Sequence, residues 1–243
     1  MARYKIDIQY DGTAFFGWQL QSNARSVQGV IEKALGSFSK DNRIVVNGAG
    51  RTDTGVHATG QVAHFDLMTR LDEFSLKKAI NGHLPKDCRI MELIRVEKTF
   101  HARFSAKKRH YRYQCMPKEK LVYRNQCWMT KSLNVEKLNI CSNIFTGTHD
   151  FLSYSKFNED LEHSRCIVSN AFWTDEKNMV VFTISANRFL HHMVRYIVGC
   201  SIQNNYGKMS LKKIKELLDS PQKDVQIFKA PAQGLFLDHV DYA

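Results

Sequence analysis

The stretch that most constrains this chain is Asn47-Gly-Ala-Gly-Arg-Thr-Asp-Thr-Gly-Val-His-Ala-Thr-Gly-Gln-Val-Ala-His-Phe65. Strand-like sequence flanks it on both sides, and Gly48, Gly50, Gly55 and Gly60 punctuate it, so it reads as a tight loop between strands. Glycine serves where a backbone turns sharply or must let another group come close. The loop therefore presents Asp53 between an arginine and a histidine. Arg51, two residues earlier, supplies a planar cation suited to a phosphate or a carboxylate. The same composition also fits a plain hairpin in which Asp53 caps a turn and Arg51 is solvated, so the loop alone does not decide its chemistry.

Around this loop the first half of the chain alternates strands and helices. Tyr4 to Tyr10 alternates as a strand and closes on the turn pair Asp11-Gly12. In Thr13 to Gln21, Phe16 and Trp18 are expected to plug the core, while Gln19 and Gln21 are candidates for ligand contact; the segment lacks the Gly-Lys-Ser/Thr ending of a phosphate loop. Ser26 is placed to cap a helix whose Val27, Ile31, Leu35 and Phe38 share one face. Arg43 to Val46 reads as a strand feeding the Asp53 loop, and Gly60 to Phe65 as one leaving it. Phe74 to Leu84 then reads as a helix and Cys88 to Val96 as a strand. The order β-α-β-β-α-β is that of a ferredoxin-like unit.

The second half repeats the pattern in looser form. Phe100 to Gln114 is the most basic stretch, and Lys107, Lys108, Arg109 and Arg112 beside Tyr111 and Tyr113 combine phosphate anchors with a stacking surface. Val135 to Phe145 predicts a helix, Ser164 to Thr174 and Met179 to Ser185 paired strands joined by residues 175–178, Leu211 to Leu218 a short helix, and Gly234 to Tyr242 a last strand. Asn187 to Gly199 predicts a helix with Arg188, His191, His192, Arg195 and Gly199 in one sector and apolar residues around the rest. A buried helix with a basic stripe needs a carboxylate or a lined cavity, since an unpaired buried cation is costly. Asp53 is the expected partner, with Arg195 holding it ionised.

Composition narrows the function. Of 243 residues 43% are hydrophobic, enough for a real core, and 35 Lys and Arg against 24 Asp and Glu leave a formal charge of +11, which favours a polyanion, nucleic acid ahead of a membrane surface. The six cysteines form no C-x-x-C pair, and the start, Met-Ala-Arg-Tyr, has no apolar leader, so a reduced, cytoplasmic protein is expected. No apolar run is long enough to span a membrane. His57, His64 and Asp66, or the adjacent His191 and His192, lack metal-ligand spacing, and no metal is expected. With no linker between the halves, two α+β units sharing one sheet are expected, with the site in the cleft between them.

Six separated blocks, Tyr10-Asp-Gly12 with Gly17-Trp-Gln19, Gly50-Arg-Thr-Asp-Thr-Gly-Val-His-Ala58, Phe100-His-Ala-Arg-Phe-Ser105, Tyr111-Arg-Tyr113, Phe189-Leu-His-His-Met-Val-Arg195 and Gly234-Leu-Phe-Leu237, resemble in order the tRNA pseudouridine synthase A family. The resemblance covers nearly the whole chain, except Lys118 to Thr130 and Lys156 to Glu162, and the sequence closes without the C-terminal extension some members carry. It implies an α+β fold of two ferredoxin-like halves, 1–105 and 106–243, sharing one mainly antiparallel sheet with helices packed on one face. It implies a cofactor-free isomerase that converts uridines at positions 38 to 40 of the tRNA anticodon arm to pseudouridine, acting as a homodimer in which one tRNA touches both subunits. The catalytic residues carried over are Asp53 as nucleophile or base, Tyr111 against the uracil, and Arg195 pairing the aspartate. The tRNA contacts carried over are Arg51, Tyr111, Phe100, His101, Ala102, Arg103, Phe104, Ser164 and Arg165. Two rivals stand beside this reading: an RNA-binding or chaperone protein without turnover, and an enzyme running the same chemistry on another RNA.

Overall fold

The computed structural model of the chain describes residues 1–39, 43–159 and 162–242. Its elements run β1 (Ala2–Tyr10), α1 (Val27–Gly36), β2 (Asn47–Gly48), β3 (His57–Leu67), α2 (Glu73–His83), β4 (Cys88–Val96), β5 (Lys108–Met116), β6 (Trp128–Met129), α3 (Val135–Asn143), β7 (Gly147–Asp150), β8 (Arg165–Glu176), β9 (Met179–Ala186), α4 (Met193–Asn205), α5 (Leu211–Asp219) and β10 (Leu235–Asp241). The fold is mixed, with mostly antiparallel strand pairing. The chain divides into two compact units, one of residues 1–107 with 236–243 and the other of residues 108–235.

In the first unit the strand order is β4-β1-β3-β10. β1 runs antiparallel to both β3 and β4, so its alternating Tyr4, Ile6, Ile8 and Tyr10 are buried in the middle of the unit. Tyr4 stacks on Phe65 at 5.6 Å, and Ile31 and Leu35 of α1 and Leu76 and Ile80 of α2 complete the core. The far edge of β3 is divided between two short partners. β10 pairs in parallel at His57 and Ala58, and β2 pairs antiparallel at Ala63 and His64. This division frames the loop 49–56, which leaves β2 and enters β3.

Ser26 caps α1 as the sequence indicates, accepting from the Gly29 amide at 3.2 Å. Two expectations fail here. Residues 43–46 are not a strand, although Ile44 and Val46 are buried alternately. Their polar groups are met from α1 instead: Glu32 accepts from the Val46 amide at 3.0 Å and pairs with Arg43 at 2.6 Å. Alternation reports burial, and a strand also needs a partner. Phe16 is 56% exposed and is no core plug; Phe15 fills that place, while Trp18 is buried as expected.

In the second unit β5-β9-β8-β7 form an antiparallel sequence, with β6 parallel to β5. α3 packs on β8 and α4, and α5 on β7. The indole of Trp173 donates to Ser142 Oγ at 2.8 Å, and Tyr154 donates to the Ile214 carbonyl at 2.7 Å, so the largest buried rings with polar atoms are satisfied. The helix expected over 187–199 begins only at Met193 and runs to Asn205. Asn187 is tied to β8 through the Ile167 amide and carbonyl, and His192 takes a left-handed φ of 66°, which stops the helix from extending backward. The predicted basic stripe is therefore dissolved: Arg188, His191 and His192 precede the helix, and Arg195 lies in its first turn.

All six cysteines are free and buried. Desolvation pushes the thiols of Cys127 and Cys141 up to about 11, which keeps them protonated and unreactive at neutral pH. Among the described residues no helix is long and apolar enough to cross a membrane.

Candidate active site

The loop 49–56 is held along its length by the first unit's own segments. Ala49 donates to the Val62 carbonyl at 2.7 Å, Gly55 donates to the Phe15 carbonyl at 3.2 Å, and the Thr52 carbonyl accepts from Trp18 at 3.0 Å. The Val56 amide closes a turn on the Asp53 carbonyl at 3.1 Å, which Gly55 permits with a φ of +77°. Gly17 lies so close beneath that a Cβ there would stand 2.6 Å from the Thr52 carbonyl oxygen. Along Arg51, Thr52 and Asp53 burial runs exposed, buried, half-buried. Thr52 points inward and shares a hydrogen bond of 2.8 Å with the buried Tyr10 hydroxyl. On β3, the Gln61 amide donates to the Gly50 carbonyl at 2.9 Å. His57 at the loop's exit accepts from the Gly12 amide at 3.0 Å and stacks on Phe236 at 4.6 Å.

The block Phe100 to Ser105 sits against the same loop. Ala102 is fully buried in a small core with Ala49 and Val62, closed by Phe100, Val240 and Tyr242. The fold thus joins two motifs that lie about fifty residues apart in the chain. His64 is the hinge of this arrangement: its Nδ1 accepts from the Ala102 amide at 3.1 Å, and it also bonds the backbone of Asn47. Burial, aided by the neighbouring His101 and Arg3, lowers its pKa to about 4 and keeps the ring neutral, as an acceptor nitrogen requires. His101 is likewise lowered, chiefly by desolvation, and its Nδ1 accepts from the Arg103 and Phe104 amides. Phe104 lies over the His101 ring at 4.4 Å and remains 76% exposed, with the Arg103 guanidinium 5.6 Å from its centroid. The block therefore offers an outward aromatic face beside a cation, a surface suited to a nucleic-acid base and its phosphate.

In the second unit Tyr111 and Tyr113 share one face of β5. Tyr111 is buried with its ring edge-to-face on Phe189 at 5.0 Å. The Tyr113 hydroxyl donates to the Pro231 carbonyl at 2.7 Å. Arg195 uses Nε to donate to the Ala230 carbonyl at 2.8 Å, and the Ala230 amide returns a bond to the Arg195 carbonyl at 3.1 Å. One turn further along α4, Gly199 meets the Phe228 carbonyl so closely that a Cβ would overlap it. Residues 228–231 thus form a strap that fixes both Tyr113 and Arg195, and Phe228 stacks on Trp128 at 5.6 Å.

Ser164 and Arg165 lie elsewhere in this unit. The Ser164 hydroxyl bonds the Asp150 carboxylate, and Arg165 opens β8 opposite Asp150. Tyr111 is level with Ile184 and Ala171, so Arg165 is offset from it by about five residues of strand, ~17 Å. A ligand touching both must be extended. Of the loop beside Ser164, residues 160 and 161 lie outside the described residues. Gln19 and Gln21, candidates for ligand contact, bond Gln28 Oε1 and the Phe16 carbonyl. Sequence reasoning missed the supports of the Asp53 loop, Tyr10, Thr52 and Gln61. The one signal was a glutamine at a buried position of a strand.

A family model described as tRNA pseudouridine synthase matches residues 7–105 and 142–243. Tyr111 falls in the stretch between the matched segments. Relatives named tRNA pseudouridine synthase A span the full chain: one from Thermosipho melanesiensis is 40% identical over 240 residues, covering 98% of each chain. Another, from Ehrlichia ruminantium strain Welgevonden, is 40% identical over 248 residues, covering 99% of this chain and all of the relative. A third, from a Geobacillus strain, is 37% identical over 243 residues, covering 99% of this chain and 98% of its own.

Proposed function

The chain belongs to the tRNA pseudouridine synthase family, and on that premise we propose how it acts and where. It is an isomerase that converts uridine to pseudouridine in tRNA. The full-length similarity at 40% identity carries that conclusion. In the reaction the N1–C1′ glycosidic bond breaks, the uracil turns, and a C5–C1′ bond forms while C5 gives up a proton and N1 gains one. Atoms and electrons balance without an external reactant, so the chemistry is proposed to need no cofactor.

Asp53 is the nucleophile or base, since it is the carboxylate that the loop 49–56 presents half-buried beside an exposed arginine. Arg195 is the cation proposed to act with it. Tyr111 stacks on the displaced uracil, and Arg51 grips the backbone once the nucleotide is flipped out of the stacked arm. Phe100 to Phe104 supply the outward aromatic and cationic surface for the arm, and Ser164 and Arg165 extend the contact. The substrate positions are 38 to 40 of the anticodon arm, each half of the chain is ferredoxin-like, and the enzyme works in the cytoplasm as a homodimer that binds one tRNA across both subunits.

The test is release of tritium from tRNA labelled at uracil C5, with the wild-type protein and with Asp53→Asn, a nearly isosteric loss of charge. Release by the wild type alone is expected. No release by either, with tRNA still bound tightly, would move the protein to the RNA-binding reading. Mapping the changed uridines in RNA from a deletion strain separates positions 38 to 40 from another RNA target.

A further inference from the structure

Two buried polar side chains reach the nucleophile loop from the strands beneath it, and neither belongs to the proposed chemistry. Tyr10 ends β1 and bonds Thr52 at 2.8 Å; Gln61 lies within β3 and bonds the Gly50 carbonyl at 2.9 Å. The anchored residues, Gly50 and Thr52, bracket Arg51, and Thr52 stands one residue before Asp53. We propose that they are positioning residues with divided tasks: Tyr10 aims Asp53 through Thr52, and Gln61 aims Arg51 through the Gly50 carbonyl. The inference rests on the functional reading above.

The geometry supports this in two ways. Along Arg51, Thr52 and Asp53 burial runs exposed, buried, half-buried, so the inward Thr52 separates two residues that lie further out. A bond that holds the Thr52 hydroxyl thus sets the direction of the carboxylate next to it. Gln61 is fully buried, and its Oε1 has no hydrogen-bond partner among the described residues. A half-satisfied amide in a core is a poor way to gain stability, because an apolar residue of similar length avoids the stranded oxygen. What the amide does provide is a fixed Gly50–Arg51 peptide plane. A Cβ at Gly50 would meet nothing within 4 Å, so that side of the residue is open.

The two tasks separate kinetically. Misdirecting a reacting group by a fraction of an ångström lowers the rate of the chemical step, whereas misdirecting a binding cation weakens substrate capture. Tyr10→Phe and Thr52→Val are expected to lower kcat about tenfold with KM for tRNA held within about twofold. The double variant is no worse than either single one, because both remove the same bond. Thr52→Ser, which keeps the hydroxyl, recovers most of the rate. Gln61→Met is expected to raise KM and the tRNA Kd about fivefold, and this effect disappears when Arg51 is already alanine.

Thermal unfolding of each variant identifies any that fail to fold, and Thr52→Ser keeps the Tyr10 branch testable in that case. A normal kcat in Tyr10→Phe, additive losses in the double variant, or a Gln61 effect that persists without Arg51 would overturn the inference. A wild type that releases no tritium defeats the functional reading instead, which separates the two failures.

Discussion

The two site-bearing regions are fixed by the same kinds of contact in different proportion: buried polar side chains weigh more in the first, close backbone approach in the second. In the first unit backbone bonds at Ala49, Thr52 and Gly55 hold the Asp53 loop, and buried side chains add to them: Tyr10 on Thr52 and Gln61 on Gly50 within the loop, with His57 on Gly12 and His64 on Ala102 beside it. In the second unit the strap 228–231 takes bonds from the Tyr113 and Arg195 side chains and lies with its backbone pressed against Gly199. A region held by side-chain hydrogen bonds is damaged by removing an atom or adding a proton. A region held by close backbone approach is damaged by adding an atom. The first should respond to pH and to isosteric changes as well as to volume, the second chiefly to volume.

The largest expected effect tests the proton half of this contrast. His64 has a folded pKa of about 4 against an ordinary 6.5, because burial and nearby cations oppose its charge. Above pH 6.5 the ring is neutral folded or unfolded, and the shift costs nothing. As pH falls from 6.5 toward 4 the unfolded chain takes up a proton that the folded protein refuses, so stability drops through that window. At ~1.4 kcal/mol per pH unit the loss reaches about 3 kcal/mol near pH 4. Urea unfolding from pH 7 to pH 4 measures it, and His64→Gln should flatten the profile relative to wild type. Parallel profiles for the two proteins would mean that His64 is not the group responsible.

Next in size is Gly17→Ala, which drives an atom at the Thr52 carbonyl from a backbone already at φ +85°. The loop that presents Asp53 must shift, and turnover should fall on the order of 10²-fold, read by tritium release on protein with a native far-UV spectrum. Gly199→Ala is its counterpart in the second unit. The added methyl collides with the Phe228 carbonyl and lifts the strap, which should cost about 2 kcal/mol of stability in urea unfolding. If Gly199→Ala unfolds at the wild-type urea concentration, the strap is not held by close approach and the contrast fails.

How much of this was legible in the sequence follows the same division. The strands β1, β3, β4, β8 and β9 and the helices α1, α2, α3 and α5 were readable because local alternation or periodicity matches their burial. The Asp53 loop was readable because its glycines and charges are contiguous. Residues 43–46 misled because Glu32, a residue of α1, takes the place of a strand partner. The start of α4 misled because apolar residues continue upstream through Phe189 and Leu190, while a single left-handed residue, His192, ends the helix. The strap on Gly199 and the anchor Tyr10 were not legible, since each joins segments 29 or more residues apart, and Gln61 was announced only by being a glutamine at a buried strand position.

The smallest effect serves as the control within the second unit. β8 and β9 are joined by Lys177 and Asn178, both at positive φ, 46° and 94°, between the paired Glu176 and Met179. Two-residue hairpins of this hand favour Asn-Gly, and Asn is the non-glycine residue that tolerates the position best. In Asn178→Gly, relief of the residual strain competes with the greater entropy that glycine gives the unfolded chain. The strain term should win narrowly, raising stability by about 0.5 kcal/mol, whereas Asn178→Ala should lower it by about 1 kcal/mol. Neither residue belongs to the site, so tritium release should stay at the wild-type rate in both variants while the urea midpoint moves. If turnover falls together with the midpoint in Asn178→Ala, stability lost in this unit is felt at the site from a distance, and only a change in Arg195 itself would then separate the strap from the sheet.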